Sequence, residues 1–177
     1  MLKRFIFLII AISSSFVQAE DKEKHKVGVV VGAASVDNVN LGTNISLGTK
    51  EIYWGYDLND TWTLEAGYME SDSKELNIFI ESIVFDTDYK VSAFLLDLQA
   101  RYPLNKKHEL FATLGVNFYD QELTGEQTFS ESGTGSNLGF GWQVKFDNNI
   151  GLKAEYSFMY LEDVDFSGFN VGISYHF

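Results

Sequence analysis

The closing stretch Phe169-Asn170-Val171-Gly172-Ile173-Ser174-Tyr175-His176-Phe177 decides the fold. In an extended chain, Phe169, Val171, Ile173, Tyr175 and Phe177 fall on one side, and Asn170, Gly172, Ser174 and His176 on the other. That two-residue period is the signature of a strand with one apolar face. Upstream, Ile150, Leu152, Ala154, Tyr156, Phe158 and Tyr160 alternate with Gly151, Lys153, Glu155 and Ser157. Before them, Leu138, Phe140, Trp142, Val144 and Phe146 alternate with Gly139, Gly141, Gln143 and Lys145.

Five further segments follow the same rule. Leu110–Phe118 sets its even-numbered apolar residues against Thr113, Gly115 and Asn117, and Phe94–Tyr102 does so against Asp97, Gln99 and Arg101. Trp62, Leu64, Ala66 and Tyr68 oppose Thr63, Glu65 and Gly67. Ile52, Trp54 and Tyr56 oppose Glu51, Tyr53 and Gly55, and Val27, Val29, Val31 and Ala33 oppose Gly28, Gly32 and Ala34. The pattern predicts an all-β chain of eight strands, because the 3.6-residue helical period is absent.

Connections alternate in length. Asp57–Asp60, Pro103–His108 and Asp147–Asn149 are short turns, rich in Asn and Asp, and contain the single Pro. Asp37–Ile45, Glu70–Lys90, Asp120–Ser136 and Glu162–Asp165 are polar connections, most of them long. Short on one side and mostly long on the other describes an antiparallel up-and-down sheet, and eight such strands can close into a barrel without free edges.

Composition excludes several classes. The 177 residues carry 25 acidic and 13 basic side chains, a formal charge of −12 that opposes nucleic-acid binding. The absence of Cys removes disulfides, thiolate metal sites and a Cys nucleophile. With 45% hydrophobic and 15% aromatic content the chain is too apolar for disorder. Met1–Ala19 has a basic start at Lys3 and Arg4, an apolar run Phe5–Ile12, and Val17-Gln18-Ala19 as a small-x-small cleavage site. That is a secretory signal peptide, too short in its apolar run to span a bilayer. Residues 20–177 then form one exported domain with a charge of −14, the two leader cations being lost.

Which face points outward separates a membrane barrel from a soluble one. Three features favour an apolar exterior. The polar face is rich in Gly (Gly28, Gly32, Gly55, Gly67, Gly115, Gly139, Gly141, Gly172), which weakens strands on a solvated surface but suits a narrow interior. Its charges are mixed, as an enclosed interior requires: Glu51, Glu65, Asp97 and Glu155 against Arg101, Lys145 and Lys153, with Gln99 and Gln143 among them. Aromatic residues sit near strand ends as in interfacial girdles, with Trp62, Tyr102, Phe146, Tyr175 and Phe177 at the short-turn end and Phe118, Phe158 and Tyr160 toward the other.

The leader, the eight alternating segments and the closing Phe169–Phe177 together resemble the small eight-stranded outer-membrane barrels of Gram-negative bacteria. Gly151–Phe177, with Glu155-Tyr156 and the acidic Glu162–Asp165 connection, is similar to the last hairpin of OmpA-like barrel domains. The resemblance covers about residues 25–177 and implies an eight-stranded antiparallel transmembrane β-barrel. It implies periplasmic termini and short turns, and long connections outside. It further implies that Val171, Ile173, Tyr175 and Phe177 are read by the barrel assembly machinery, and that the protein is a monomer in contact with outer-membrane lipid and lipopolysaccharide. No peptidoglycan-binding domain follows Phe177 in this sequence, so a cell-wall tether is not expected.

On that topology the long connections carry charges of −1, −4, −4 and −3, so nearly all the surplus acidity faces outward. Solvation explains it simply. Divalent-cation bridging to lipopolysaccharide phosphate is the sharper reading, although no loop has a Ca²⁺-binding spacing and no metal ligand is assigned. His25, His108 and His176 all map to the periplasmic end, so no Ser/His/acid set faces the outer leaflet and no enzyme is expected. No cofactor is expected either. The expected role is structural or surface-interacting, with polar side chains filling the lumen. A narrow passive pore is the alternative, and a lipid-modifying enzyme or a soluble ligand-binding barrel comes behind it. The apolar run Ile78–Phe85 within Glu70–Lys90 reads either as an extended hairpin or as a sticky segment for adhesion.

Overall fold

The computed structural model describes residues 24–38, 43–73, 88–124, 129–162 and 164–177. The leader, the run Ile78–Phe85 and parts of the long connections lie outside the described residues. Eight strands follow in order: β1 (His25–Asn38), β2 (Thr43–Asp57), β3 (Trp62–Asp72), β4 (Asp88–Pro103), β5 (His108–Thr124), β6 (Phe129–Lys145), β7 (Ile150–Tyr160) and β8 (Val164–His176). Each pairs antiparallel with its chain neighbour, and β8 returns to β1 to close the barrel.

The closing seam runs from Lys26↔His176 to Asn38↔Val164. It is finished by two backbone hydrogen bonds, His25 N to Phe177 O (3.0 Å) and Phe177 N to His25 O (2.8 Å). The short turns are fixed locally by asparagine. Asn59 Oδ1 accepts from the backbone N–H of Thr61 and Trp62, and Asn105 Oδ1 does the same for Lys107 and His108. Asn149 takes the left-handed conformation that Asn tolerates, at φ 66°.

The long connections are shorter than the sequence reading placed them. Strand pairing continues through Asp37 and Asn44, through Glu70 and Lys90, and through Asp120 and Ser132. The polar residues there look like loop in the sequence because the apolar side of the alternation stops. The pairing itself does not stop; only the environment of the outward face changes.

That change is visible on both faces at once. Over the short-turn half, outward residues are apolar and exposed, for example Val29, Val31, Ile52, Leu96, Leu114 and Val171. Inward residues there are mostly polar or Gly. Nearer the long connections the faces exchange character. Outward positions become Ser35, Lys50, Glu70, Lys90, Asp120 and Asp165, while inward positions become Val36, Leu47, Val91, Leu161 and Phe166, all buried. The outward apolar stretch of β5 runs from Leu110 to Phe118, which at about 3.3 Å per residue and a barrel tilt gives about 20–25 Å of height. Such a band matches the hydrocarbon of an outer membrane, which is thinner than average.

Candidate functional site

The interior of the barrel begins with charge at the short-turn mouth. Arg101 Nη1 lies 2.9 Å from Asp57 Oδ2, and its Nη2 donates to Asn59 O at 2.7 Å. Thr63 Oγ1 donates to the other carboxylate oxygen of Asp57 at 2.7 Å, and Gln143 Nε2 donates to Glu109 Oε1. Lys145 closes β6 at this rim, half-buried, and His176 is buried at the end of β8, its Nε2 3.2 Å from Ser174 Oγ.

One layer inward, Lys26 Nζ contacts Glu65 Oε1 at 2.5 Å and donates to Gln99 Oε1 at 3.1 Å. Lys153 Nζ pairs with Glu155 Oε2 at 3.2 Å and stands 4.4 Å from the centre of the Tyr53 ring, a cation–π contact. Asn137 donates to Asp97 at 2.9 Å and accepts from Asn117 at 2.6 Å. Thr49, Asn170 and Ser157 form a second chain across β2, β8 and β7. Glu51 lines the cavity shared by these groups, whose volume is about 70 Å³.

The large interior side chains fit against glycines of adjacent strands. A Cβ on Gly28 would stand 2.5 Å from Tyr53, one on Gly133 2.5 Å from the Tyr119 hydroxyl, and one on Gly141 2.6 Å from Phe111. The Gly-rich face is therefore a set of sockets. A barrel of eight strands has only enough interior volume for its side chains, so an aromatic ring on one strand needs a missing side chain on the next.

Above the polar layers the interior is apolar. Ala34, Val36, Leu47, Met69, Tyr89, Val91, Ala93, Leu95, Tyr119, Met159, Leu161, Val164 and Phe166 pack into one buried cluster. Tyr89 donates to Gln121 Oε1 at 2.7 Å, and Gln121 donates to Glu131. Burial, with Tyr119 and Glu131 nearby, pushes the Tyr89 phenol well up, so it stays a donor at any physiological pH.

The nine lumen residues named from sequence lie on the inward face of the short-turn half; Lys153 pairs with Glu155, while Glu65, Gln99, Asp97, Arg101 and Gln143 are held by partners outside that set, namely Lys26, Asn137, Asp57 and Glu109. The sequence reading had no counterpart for the apolar half. It also missed Lys26 and Asp57. Lys26 precedes the first apolar residue of its segment, but continuing the alternation one step past Gly28 places it inward. Outside, Trp62, Tyr102, Phe118, Phe146 and Tyr160 are exposed and Phe158 is half-buried. Phe140, Tyr156, Phe158 and Tyr160 form a ring-contact row across β6 and β7. At the seam, His25 stacks on Phe177 with centroids 5.6 Å apart. His25, His108 and His176 all lie at the short-turn end, far along the strands from the acidic outward positions. Among the described residues no group of three His or carboxylate side chains could hold a metal ion.

The sequence profile of the outer membrane protein beta-barrel domain matches residues 5–177. Neisserial surface protein A has a similar structure, with TM-score 0.73 and 14% identity over 86% of this chain and 97% of that one. Ail, the attachment invasion locus protein of Yersinia pestis, gives 0.62 and 17% over 88% and 100%. The N-terminal β-barrel domain of Pseudomonas aeruginosa OprF gives 0.56 and 16% over 88% and 100%. At these identities the likeness is one of fold. No curated protein matches the chain.

Proposed function

Because the chain belongs to the outer membrane protein beta-barrel domain family, we propose that it is an integral protein of the Gram-negative outer membrane with a structural and surface-interacting role. The observation that carries this reading is the outward apolar band bounded by a line of charged and hydroxyl residues on β1–β6 and β8. Residues 1–19 serve as the cleaved leader, Val171, Ile173, Tyr175 and Phe177 are presented to the assembly machinery, and the aromatic residues at the band edges seat the barrel between headgroups. The barrel works as a monomer among lipopolysaccharide, with its acidic connections outside.

Surface contact is favoured over transport. In support of this, the polar layers are cross-linked, the cavity between them is small, and Ala34, Met69, Leu95, Met159 and Phe166 of the apolar cluster line its upper side. Catalysis is disfavoured by the placement of the three His. Two proteins of similar fold, neisserial surface protein A and the attachment invasion locus protein of Yersinia pestis, carry surface and attachment in their names, which agrees with a surface role.

Fractionation with heat-modifiable migration tests the location: detergent-requiring recovery and a faster unboiled band are expected, and release with soluble periplasm would overturn it. A deletion strain tests the role. Loss of surface binding or of detergent resistance supports it; a strain unaltered in both, but slowed in uptake of small solutes, would favour the pore.

A further inference from the structure

Strand β6 is longer than its neighbour on one side. Its pairing with β5 extends from His108↔Val144 to Leu123↔Phe129, whereas its pairing with β7 stops at Ser136↔Tyr160. Gly135 still packs against the Tyr160 carbonyl, so Ser130–Thr134 are strand-paired on the β5 side alone among the described residues. A strand in this state presents alternate N–H and C=O groups sideways, and such an edge accepts another extended chain.

Proteins normally blunt an exposed edge with Lys, Pro, a bulge or an inward charge. Here the outward side chains are Ser130, Ser132 and Thr134, all exposed, small and uncharged. The inward ones are Glu131 and Gly133, and the Tyr119 ring fills the space beside Gly133. Among the described residues the edge is thus backed by the buried cluster and blunted only by the inward carboxylate of Glu131, itself engaged by Gln121. Its surroundings are acidic: Glu162 and Asp165 are exposed at the β7–β8 connection directly below, and Asp120 and Glu122 are exposed on β5.

From this geometry we infer that Ser130–Thr134 is a strand-addition site for an extended, basic peptide segment of a partner protein. The inference rests on the surface-interacting role proposed above and supplies its mode. Main-chain hydrogen bonds to β6 give the register, and Glu162, Asp165, Asp120 and Glu122 select lysine or arginine in the incoming strand.

The test uses the full barrel in nanodiscs and a short peptide of alternating lysine and valine, beside the same peptide N-methylated along one edge. The unmodified peptide binds, and N-methylation weakens it by about tenfold or more, because charge is kept while main-chain donors are lost. A photo-crosslinker at Ser132 captures the peptide, and one at Leu104, exposed in a short turn, does not. Equal binding of the two peptides, or binding of neither, overturns the inference. So does capture at both positions alike. If strand addition fails while the deletion strain still loses surface binding, the surface role stands and only its mode is wrong.

Discussion

Lys26 Nζ and Glu65 Oε1 lie 2.5 Å apart inside the barrel, with side chains only 2% and 6% exposed. Removing one partner leaves the other charge buried without its direct counter-ion. Lys26→Met alone should cost about 3–5 kcal/mol of unfolding free energy in vesicles, and Lys26→Met with Glu65→Leu markedly less. Urea or guanidinium unfolding followed by gel migration measures both. A double variant as unstable as the single would show that the pair is not coupled.

Gly28 faces Tyr53 across the β1–β2 pair, where a Cβ would stand 2.5 Å from the ring. Gly28→Val should destabilise by about 1–3 kcal/mol through overpacking. Adding Tyr53→Ala to Gly28→Val should recover part of that loss, measured in the same unfolding assay.

Leu114 is 65% exposed in the middle of the outward band, whereas Asp120 is three outward positions higher on the same strand. Leu114→Arg should cost about 2–4 kcal/mol in lipid, and Asp120→Arg close to nothing. Equal effects at the two sites would remove the lipid-facing reading of the band.

The apolar cluster carries a prediction about conduction. Purified protein in planar bilayers should give no sustained unitary steps. Leu95→Gly with Met159→Gly and Phe166→Gly should give them, while Lys26→Met with Glu65→Leu should not. Retained heat-modifiable migration shows that each variant is still a closed barrel.

Phe177 exchanges two backbone hydrogen bonds with His25 and stacks on its ring. Deleting Phe177 should lower the level of folded barrel in the outer membrane several-fold while the secreted chain is still made. Pulse-labelling followed by unboiled gel migration reads this directly.

Strand number, antiparallel order and the outward face were legible because alternation is a local property, visible in runs such as Ile150–Tyr160. The pairing of Lys26 with Glu65 was not legible. It depends on register between β1, β2 and β3, which no single segment contains. The apolar upper interior was hidden for another reason. Tyr89, Val91, Ala93 and Leu95 alternate with Lys90, Ser92 and Phe94 in a phase that conflicts with the rest of β4, so the segment was cut at Phe94 and its upper part read as loop. A strand crossing from hydrocarbon to water must exchange the polarity of its faces, and a reading that assumes one phase per strand ends where the exchange occurs.

That exchange gives the barrel a waterline. Sliding it inward by two residues, about 6–7 Å along each strand, would draw Lys50, Glu70, Ser92 and Asp120 on β2–β5 into hydrocarbon. Sliding it outward by the same step would wet Phe94, Phe118 and Phe169 together. Because each displacement is opposed on several strands at once, the molecule has one depth at which it floats. Whatever its outer rim meets is met at a fixed height above the lipid.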